Sequence, residues 1–271
     1  MIPTHYNRLG AGINQRNTWV IEHGAGVLDI NISGATNLLW QFPDGSTSTV
    51  ARPAKTVTKG TTTITCDDFS ASEVEVYIYG ASSSALASYP IPIKSLPALT
   101  YRLFANANGL TGTTADLSRV TNYLSLNNLS GLTGTTADLS RKIGSLTLTD
   151  LSGLTGTVAD LSRVIYSLNL NNLPGLTGTT ADLPANTGPT RRIIYLAGIT
   201  GALPVVSTNT DIRYYGNDSV TPAEYDQTIA NCVAAGRTGG TLYISSRRTS
   251  ASDDDVATLR SRGWTVNDSN I

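Results

Sequence analysis

Leucine spacing sets the first pattern in this chain. In YLSLNN (123–128), SLTLTD (145–150) and SLNLNN (167–172) apolar and polar positions alternate strictly. That alternation predicts short strands with Leu124, Leu126, Leu146, Leu148, Leu168 and Leu170 on one side. Each strand is followed by one more leucine (Leu129, Leu151, Leu173), then by Gly-Leu-Thr-Gly and Ala-Asp-Leu. Their spacing abandons period two, so the chain must turn. GLTGTTADLSR at 109–119 returns unchanged at 131–141, as GLTGTVADLSR at 153–163 and as GLTGTTADLP at 175–184, always 22 positions apart. One such unit cannot bury its leucines alone, and stacked units must share them. The same inward set therefore recurs on every rung, with glycine where the backbone bends or two rungs approach closely. A unit of 22 residues leaves no room for a full helix. The T-x-A-D-L-S-R segment is therefore expected as extended or 3₁₀-like backbone, with Leu117, Leu139, Leu161 and Leu183 completing the core.

Stacking also lines up charges. Asp116, Asp138, Asp160 and Asp182 form one column, and Arg119, Arg141 and Arg163 another. Rungs about 4.8 Å apart bring like charges together. Hydrogen bonds from turn amides to each Asp, and an Arg three positions on, are expected to relieve the repulsion. After Gly188 the repeat frays: RRIIYLAGITGALP reads as a fifth rung only with an insertion of one or four residues.

The flanks change period. Towards the C-terminus, DIRYYGND reads as a strand with Ile212 and Tyr214 inward. Thr221-Pro-Ala-Glu224 is a capping box that opens a helix with Tyr225, Ile229, Cys232 and Val233 on one face, ending at Gly236. TLYIS (241–245) is a strand. A second helix starts at Ser252, with Asp253, Asp254 and Asp255 at its positive end and Arg260 and Arg262 at its negative end; WTV (264–266) closes. On the N-terminal side VLDINI (27–32), LLWQF before Pro43-Asp44-Gly45, TTTITC and EVEVYIY (73–79) are short strands separated by turns, the pattern of a small β-sandwich. Residues 81–98, stiffened by Pro90, Pro92 and Pro97, are expected to link it to the first rung. Residues 1–20 are polar and nearly free of core periodicity, which suits either a floppy terminus or an arm ordered against a neighbouring subunit with Tyr6 and Trp19 as anchors.

These residues carry three resemblances. The 22-residue period over 99–204, with Leu-x-Gly-Leu-Thr-Gly in place, resembles leucine-rich repeats of the plant-type subclass. Ala-Gly-x-x-Gly-Gly-Thr-Leu-Tyr-Ile and Arg-Gly-Trp-Thr-Val, within 212–267, look like the C-terminal cap of leucine-rich repeat proteins encoded by tailed bacteriophages and by some gut and environmental bacteria. Trp40 followed by Asp-Gly resembles the polycystic-kidney-disease-type (PKD), immunoglobulin-like module. The fold class implied is mainly β: a 22-residue leucine-rich repeat solenoid (99–204) with a small N-terminal β-sandwich (21–80) and an α/β C-terminal cap (205–271), preceded by an arm (1–20) and joined by a linker (81–98).

Composition then narrows the function. At 271 residues and 40% hydrophobic the chain can bury a real core. A net charge of −1 with 14% charged residues lacks the basic footprint of a nucleic-acid binder, so no nucleic acid is expected as partner. No basic region precedes an apolar run at the N-terminus and no window approaches 18 apolar residues, so neither a standard export signal nor membrane insertion is expected. Cys66 and Cys232 are isolated and read as buried thiols. His5 and His23 are the only near-neutral bases, and Glu22, Glu73, Glu75 and Glu224 show no paired spacing. Phosphate-loop glycines and the calcium-binding nonapeptide are absent, so no enzyme, cofactor or metal is expected.

A binding surface is the better expectation. Outward strand positions stack into columns of Tyr101, Tyr123, Ser145 and Ser167, of Ser125, Thr147 and Asn169, and of Asn127, Thr149 and Asn171. Neutral hydroxyls and amides beside aromatic rings suit a carbohydrate or a polar protein surface. The expected site is therefore Tyr101, Tyr123, Ser125, Asn127, Thr147, Thr149, Asn169 and Asn171, with Tyr6, Arg8, Arg16 and Trp19 as an assembly arm. The phage-like cap implies a virion-surface protein, a tail fibre or tip or a capsid decoration. Its arm would hold other virion proteins in a homo-oligomeric assembly, and its sheet would hold host polysaccharide or protein. A bacterial cell-surface adhesin is the alternative.

Overall fold

The computed structural model describes residues 18–268 except 70, 72, 73, 80–85, 87–90, 93–95, 97–101, 107–109, 118, 119, 121, 140–142, 184–189, 197, 206–209, 217–219, 245 and 246. The chain is mainly β, and its strands fall into several sheets.

The leucine-rich units give a double ladder. Their first strands are β10 (Arg102–Asn106), β12 (Tyr123–Asn127), β14 (Ile143–Thr149), β16 (Val164–Asn171) and β18 (Thr190–Leu196), all paired in parallel. Their second strands are β11 (Leu110–Thr113), β13 (Gly131–Thr135), β15 (Leu154–Thr157), β17 (Gly175–Thr179) and β19 (Gly198–Thr200), in a separate parallel sheet that β9 (Ile91–Pro92) begins. Thr114–Leu117, Thr136–Leu139, Val158–Leu161 and Thr180–Asp182 form 3₁₀ turns after the second strands, as the short unit requires. Leu124, Leu146 and Leu168 stand level with one another and are at most 1% exposed. Burying each such side chain contributes about 1.5–3 kcal/mol.

The corner after each first strand needs a left-handed residue. Asn128 (φ 54), Asp150 (φ 54) and Asn172 (φ 48) supply it, types that tolerate this region because their short polar side chains bond locally. Asn172 Nδ2 donates to Asp150 Oδ1 at 2.6 Å, one rung back. The fifth rung resolves the register left open by the sequence. Leu168 is level with Arg191, 23 positions on, where Leu146 is level with Leu168, 22 positions on, so one residue is inserted.

The N-terminal strands are β1 (Thr18–His23), β2 (Gly26–Leu28), β3 (Ile30–Ser33), β4 (Leu39–Gln41), β5 (Thr47–Ser48), β6 (Lys55–Val57), β7 (Gly60–Thr65) and β8 (Glu75–Tyr79). They do not stand apart from the repeats. β1, β7, β4 and β5 form one antiparallel sheet and β2 pairs with β6, but β8 pairs in parallel with β10 and carries β3 on its other side. Val76 and Ile78 are level with Leu103 and Ala105, and all four are buried. The N-terminal strands thus include two, β3 and β8, that begin the long sheet. Of the expected linker at 81–98, Ile91–Pro92 is itself a strand; most of the remainder lies outside the described residues.

At the other end β20 (Asp211–Gly216), β21 (Gly240–Ile244) and β22 (Trp264–Asn267) extend the same sheet to ten strands, connected through α1 (Pro222–Ala234) and α2 (Asp253–Ser261). The Thr221/Glu224 capping box closes as expected, and Glu224 Oε1 also accepts from Gly201 N at 2.7 Å, tying the helix to the fifth rung. One hydrophobic core runs from Trp19 to Val266.

Candidate functional site

Side chains on the outer face of the ten-stranded sheet follow from the pleat: with the leucines inside, every alternate residue looks out. Tyr123, Asn127, Thr147, Thr149, Asn169 and Asn171 are half-buried there, with Asn127, Thr149 and Asn171 level across β12, β14 and β16 and Thr147 level with Asn169. Ser125 is only 6% exposed and accepts from Asn127 Nδ2 at 3.0 Å, so it supports the face from below and does not form part of its surface. Tyr101 lies outside the described residues, and its expected place is filled by Arg102, level with Tyr123. The shift arises because Leu103 and Ala105 must face the core beside Leu124 and Leu126, which makes the first unit one residue shorter. Asn169 Oδ1 and Asn171 Oδ1 are buried without a hydrogen-bond partner.

Sequence reasoning missed the two ends of this face. At the N-terminal end, Glu75, Tyr77 and Tyr79 of β8 look out. The rings of Tyr77 and Tyr79 stack at 6.2 Å and 7°. Tyr77 Oη donates to Glu75 Oε2 at 2.7 Å, Arg102 donates to Glu75 Oε1 at 2.5 Å, and Arg52 lies 4.3 Å over the Tyr79 ring while bonding both oxygens of Asp29. Burial first, and the Glu75 carboxylate second, push the Tyr77 phenol up to about 12, which keeps it a donor. At the C-terminal end Arg213 lies 4.7 Å over Tyr243 and bonds Asp211 at 3.1 Å. The alternation of EVEVYIY carries the signal for these outward residues.

The assembly arm is corrected. Trp19 sits in β1 level with Ile64 and is 1% exposed, because β1 and β7 bury their inward residues against the N-terminal core; it cannot anchor a neighbour. Tyr6, Arg8 and Arg16 lie outside the described residues. No family model, curated protein or solved structure matches this chain. Its chemistry has to be read from the residues themselves.

The possible catalytic groups are engaged in structure. His23 is 1% exposed, with Nδ1 2.9 Å from Gly24 O and Nε2 2.8 Å from Thr62 Oγ1; His5 lies outside the described residues. Cys66 and Cys232 are buried and unbridged, and burial pushes the Cys66 thiol up to about 11. Among the described residues no cluster of three or more His, Cys, Asp or Glu could hold a metal. None of the described helices is long and apolar enough to cross a membrane.

The Asp column accepts the expected turn amides and adds threonine hydroxyls from the rung before; of the expected arginines, Arg119 and Arg141 lie outside the described residues. Asp138 Oδ2 accepts from Thr135 N at 3.2 Å in its own rung and from Thr114 Oγ1 at 2.8 Å in the rung before. Asp160 repeats this with Thr157 N at 3.0 Å and Thr136 Oγ1 at 2.7 Å. Short Thr and Asp side chains in adjacent turns can meet without leaving the stack. Asp182 lacks the equivalent donor, because its predecessor rung carries Val158. Val158→Thr should therefore be neutral or stabilising by up to about 1 kcal/mol, since a charge-assisted hydrogen bond offsets the lost buried methyl. A urea titration that showed a loss of more than about 1 kcal/mol would contradict this ladder.

The ladder also predicts pH dependence. The Thr114 hydroxyl, then the Thr135 amide, hold the Asp138 carboxyl below its ordinary range. Asp160 is lowered too: desolvation, the largest influence, opposes this, but the Thr136 and Thr157 hydrogen bonds prevail. A carboxyl lowered on folding stabilises the fold fully above its unfolded value, near 3.9, and loses that contribution as pH falls through the folded value. The urea midpoint should fall below about pH 4, and fall less steeply in Asp138→Asn/Asp160→Asn. Equal slopes would remove the ladder from the acid response.

Proposed function

We propose that this chain is a non-enzymatic binding and scaffolding protein: a leucine-rich repeat solenoid of 22-residue rungs, begun by a PKD/immunoglobulin-like module and closed by an α/β cap. It serves on the virion surface of a tailed phage, as a tail fibre or tip component or a capsid decoration, and adsorbs to a host surface glycan or protein. The observation that carries this reading is the outer face of the ten-stranded sheet, where Tyr123, Asn127, Thr147, Thr149, Asn169 and Asn171 lie between two platforms of arginine on tyrosine. Its hydroxyls and amides can exchange hydrogen bonds with a polar partner, and its rings supply apolar contact at low entropic cost. The arm expected within residues 1–20 would hold neighbouring virion proteins or further copies of the chain through Tyr6, Arg8 and Arg16. Trp19 has no part in that arm.

The virion assignment draws on the resemblance of the cap to leucine-rich repeat proteins of phages, and that resemblance extends to bacteria. A cell-surface adhesin is accordingly the second reading, with the same face in use. Electron microscopy of the native assembly, with the chain labelled by antibody, separates them. Label on phage particles is the expected result. Label on a cell envelope and on no particle would replace the phage reading with the adhesin.

A further inference from the structure

The N-terminal end of the outer face is built mostly from residues outside the repeat. Glu75, Tyr77 and Tyr79 come from β8, Arg102 from the first rung, and Asp29 and Arg52 from the N-terminal module. We infer that this junction is the anchor subsite for a neutral, hydroxyl-rich glycan whose chain continues over Asn106 and Asn127 onto the threonine and asparagine columns. The inference rests on the reading of the sheet face as a binding surface, and it selects one ligand class for that face.

Charge decides between classes of ligand. Each arginine here already has its own carboxylate: Arg52 bonds Asp29 at 2.7 and 2.8 Å, and Arg102 bonds Glu75 at 2.5 Å. An acidic glycan would have to displace those carboxylates, and a basic partner would meet two fixed guanidinium groups. A neutral sugar has neither conflict. Arg52 bonds Asp29 through Nε and Nη2, and its Nη1 donors can meet vicinal sugar hydroxyls, each both donor and acceptor. The side chains remain within reach of solvent, at 48% and 22% exposure for Arg52 and Asp29 and 37% and 19% for Arg102 and Glu75.

The platform is also fixed in advance. Tyr77 and Tyr79 are parallel within 7°, with the Tyr77 hydroxyl held by Glu75 and the Tyr79 ring held under Arg52. A pre-oriented pair of rings loses little freedom when a sugar packs against its exposed edge. Tyr79 is level with Asn106, and Asn106 with Asn127, so a polymer leaving the platform meets amides on the next two strands.

The test uses full-length chain on a microarray of neutral glucans, mannans and galactans beside uronic-acid and sialylated polymers, with affinities of the hits measured by calorimetry. At least one neutral polymer should bind and acidic polymers should not. Tyr79→Ala should weaken that binding about tenfold or more and Tyr79→Phe should keep most of it. Glu75→Gln, which removes a carboxylate bonded to Arg102, should weaken the neutral ligand and let acidic polymers bind. An unchanged melting temperature qualifies each variant as folded. Failure of every neutral polymer to bind, or preference for acidic ones, overturns the inference. Binding that survives Tyr79→Ala but is lost in Thr147→Ala/Asn169→Ala/Asn171→Ala overturns the anchor while leaving the face reading intact. Binding unaffected by either set overturns both.

Discussion

Gly156→Ala is expected to destabilise the chain by about 4 kcal/mol, a sum of backbone strain and a broken inter-rung bond. Gly156 has φ +123, a region that L side chains rarely adopt. A Cβ there would overlap Thr136 Oγ1 and stand 3.0 Å from Thr136 N and 3.2 Å from Asp160 Oδ2. The methyl therefore lands on the hydrogen bond that joins the two rungs, and neither partner can move without losing the other. Against a total stability of roughly 5–15 kcal/mol the loss is large, and because each rung leans on its neighbours it should spread along the stack. Gly239→Ala makes the control. Gly239 has φ +71 with nothing within 4 Å of a built Cβ, so only the left-handed penalty of about 1–2 kcal/mol applies. Urea titrations of the two variants should separate by at least about 2 kcal/mol. Equal losses would mean that close approach of rungs does not explain the glycine.

The second large effect belongs to the core. Leu148 is 0% exposed and stands level with Leu126 on one side and Leu170 on the other, both also buried. Leu148→Ala should cost about 2–5 kcal/mol, towards the upper end because fixed rungs on both sides prevent the cavity from collapsing. Leu148→Ala with Leu170→Ala should cost measurably less or more than the sum of the two, since the substitutions share one cavity. Val20, 38% exposed on β1, provides the contrast, and Val20→Ala should stay within about 0.5 kcal/mol. Strict additivity of the leucine pair would argue against a shared line of aliphatic side chains.

The parts of this fold that the sequence made legible are those where one physical demand repeats. Alternation of leucine with polar residues specified the first strands, and the inability of a short unit to bury its own leucines specified the parallel stacking seen between β10 and β18. The capping box at Thr221 and Glu224 is local chemistry and was equally visible. Hidden features depend on which elements become neighbours. Nothing in EVEVYIY says that β8 will pair with Arg102–Asn106, so the Tyr77 and Tyr79 platform could not be placed beside the repeat. The column register failed at Tyr101 for a related reason: a one-residue deletion in the first unit leaves the leucine pattern intact and moves every outward residue. The sequence around Trp19 is polar, yet its strand partner Ile64 lies far along the chain on β7, and both are buried.

The most direct measurement compares adsorption of three folded forms of the full-length chain to one panel of bacterial cell envelopes: wild type, Thr147→Ala/Asn169→Ala/Asn171→Ala on the ten-stranded sheet, and Thr133→Ala/Thr155→Ala/Thr177→Ala on the six-stranded sheet. Wild type and the third form should bind alike, while the second should bind about tenfold more weakly or worse. Equal binding by all three, or loss confined to the third, would contradict the assignment of recognition to the outer face of the long sheet.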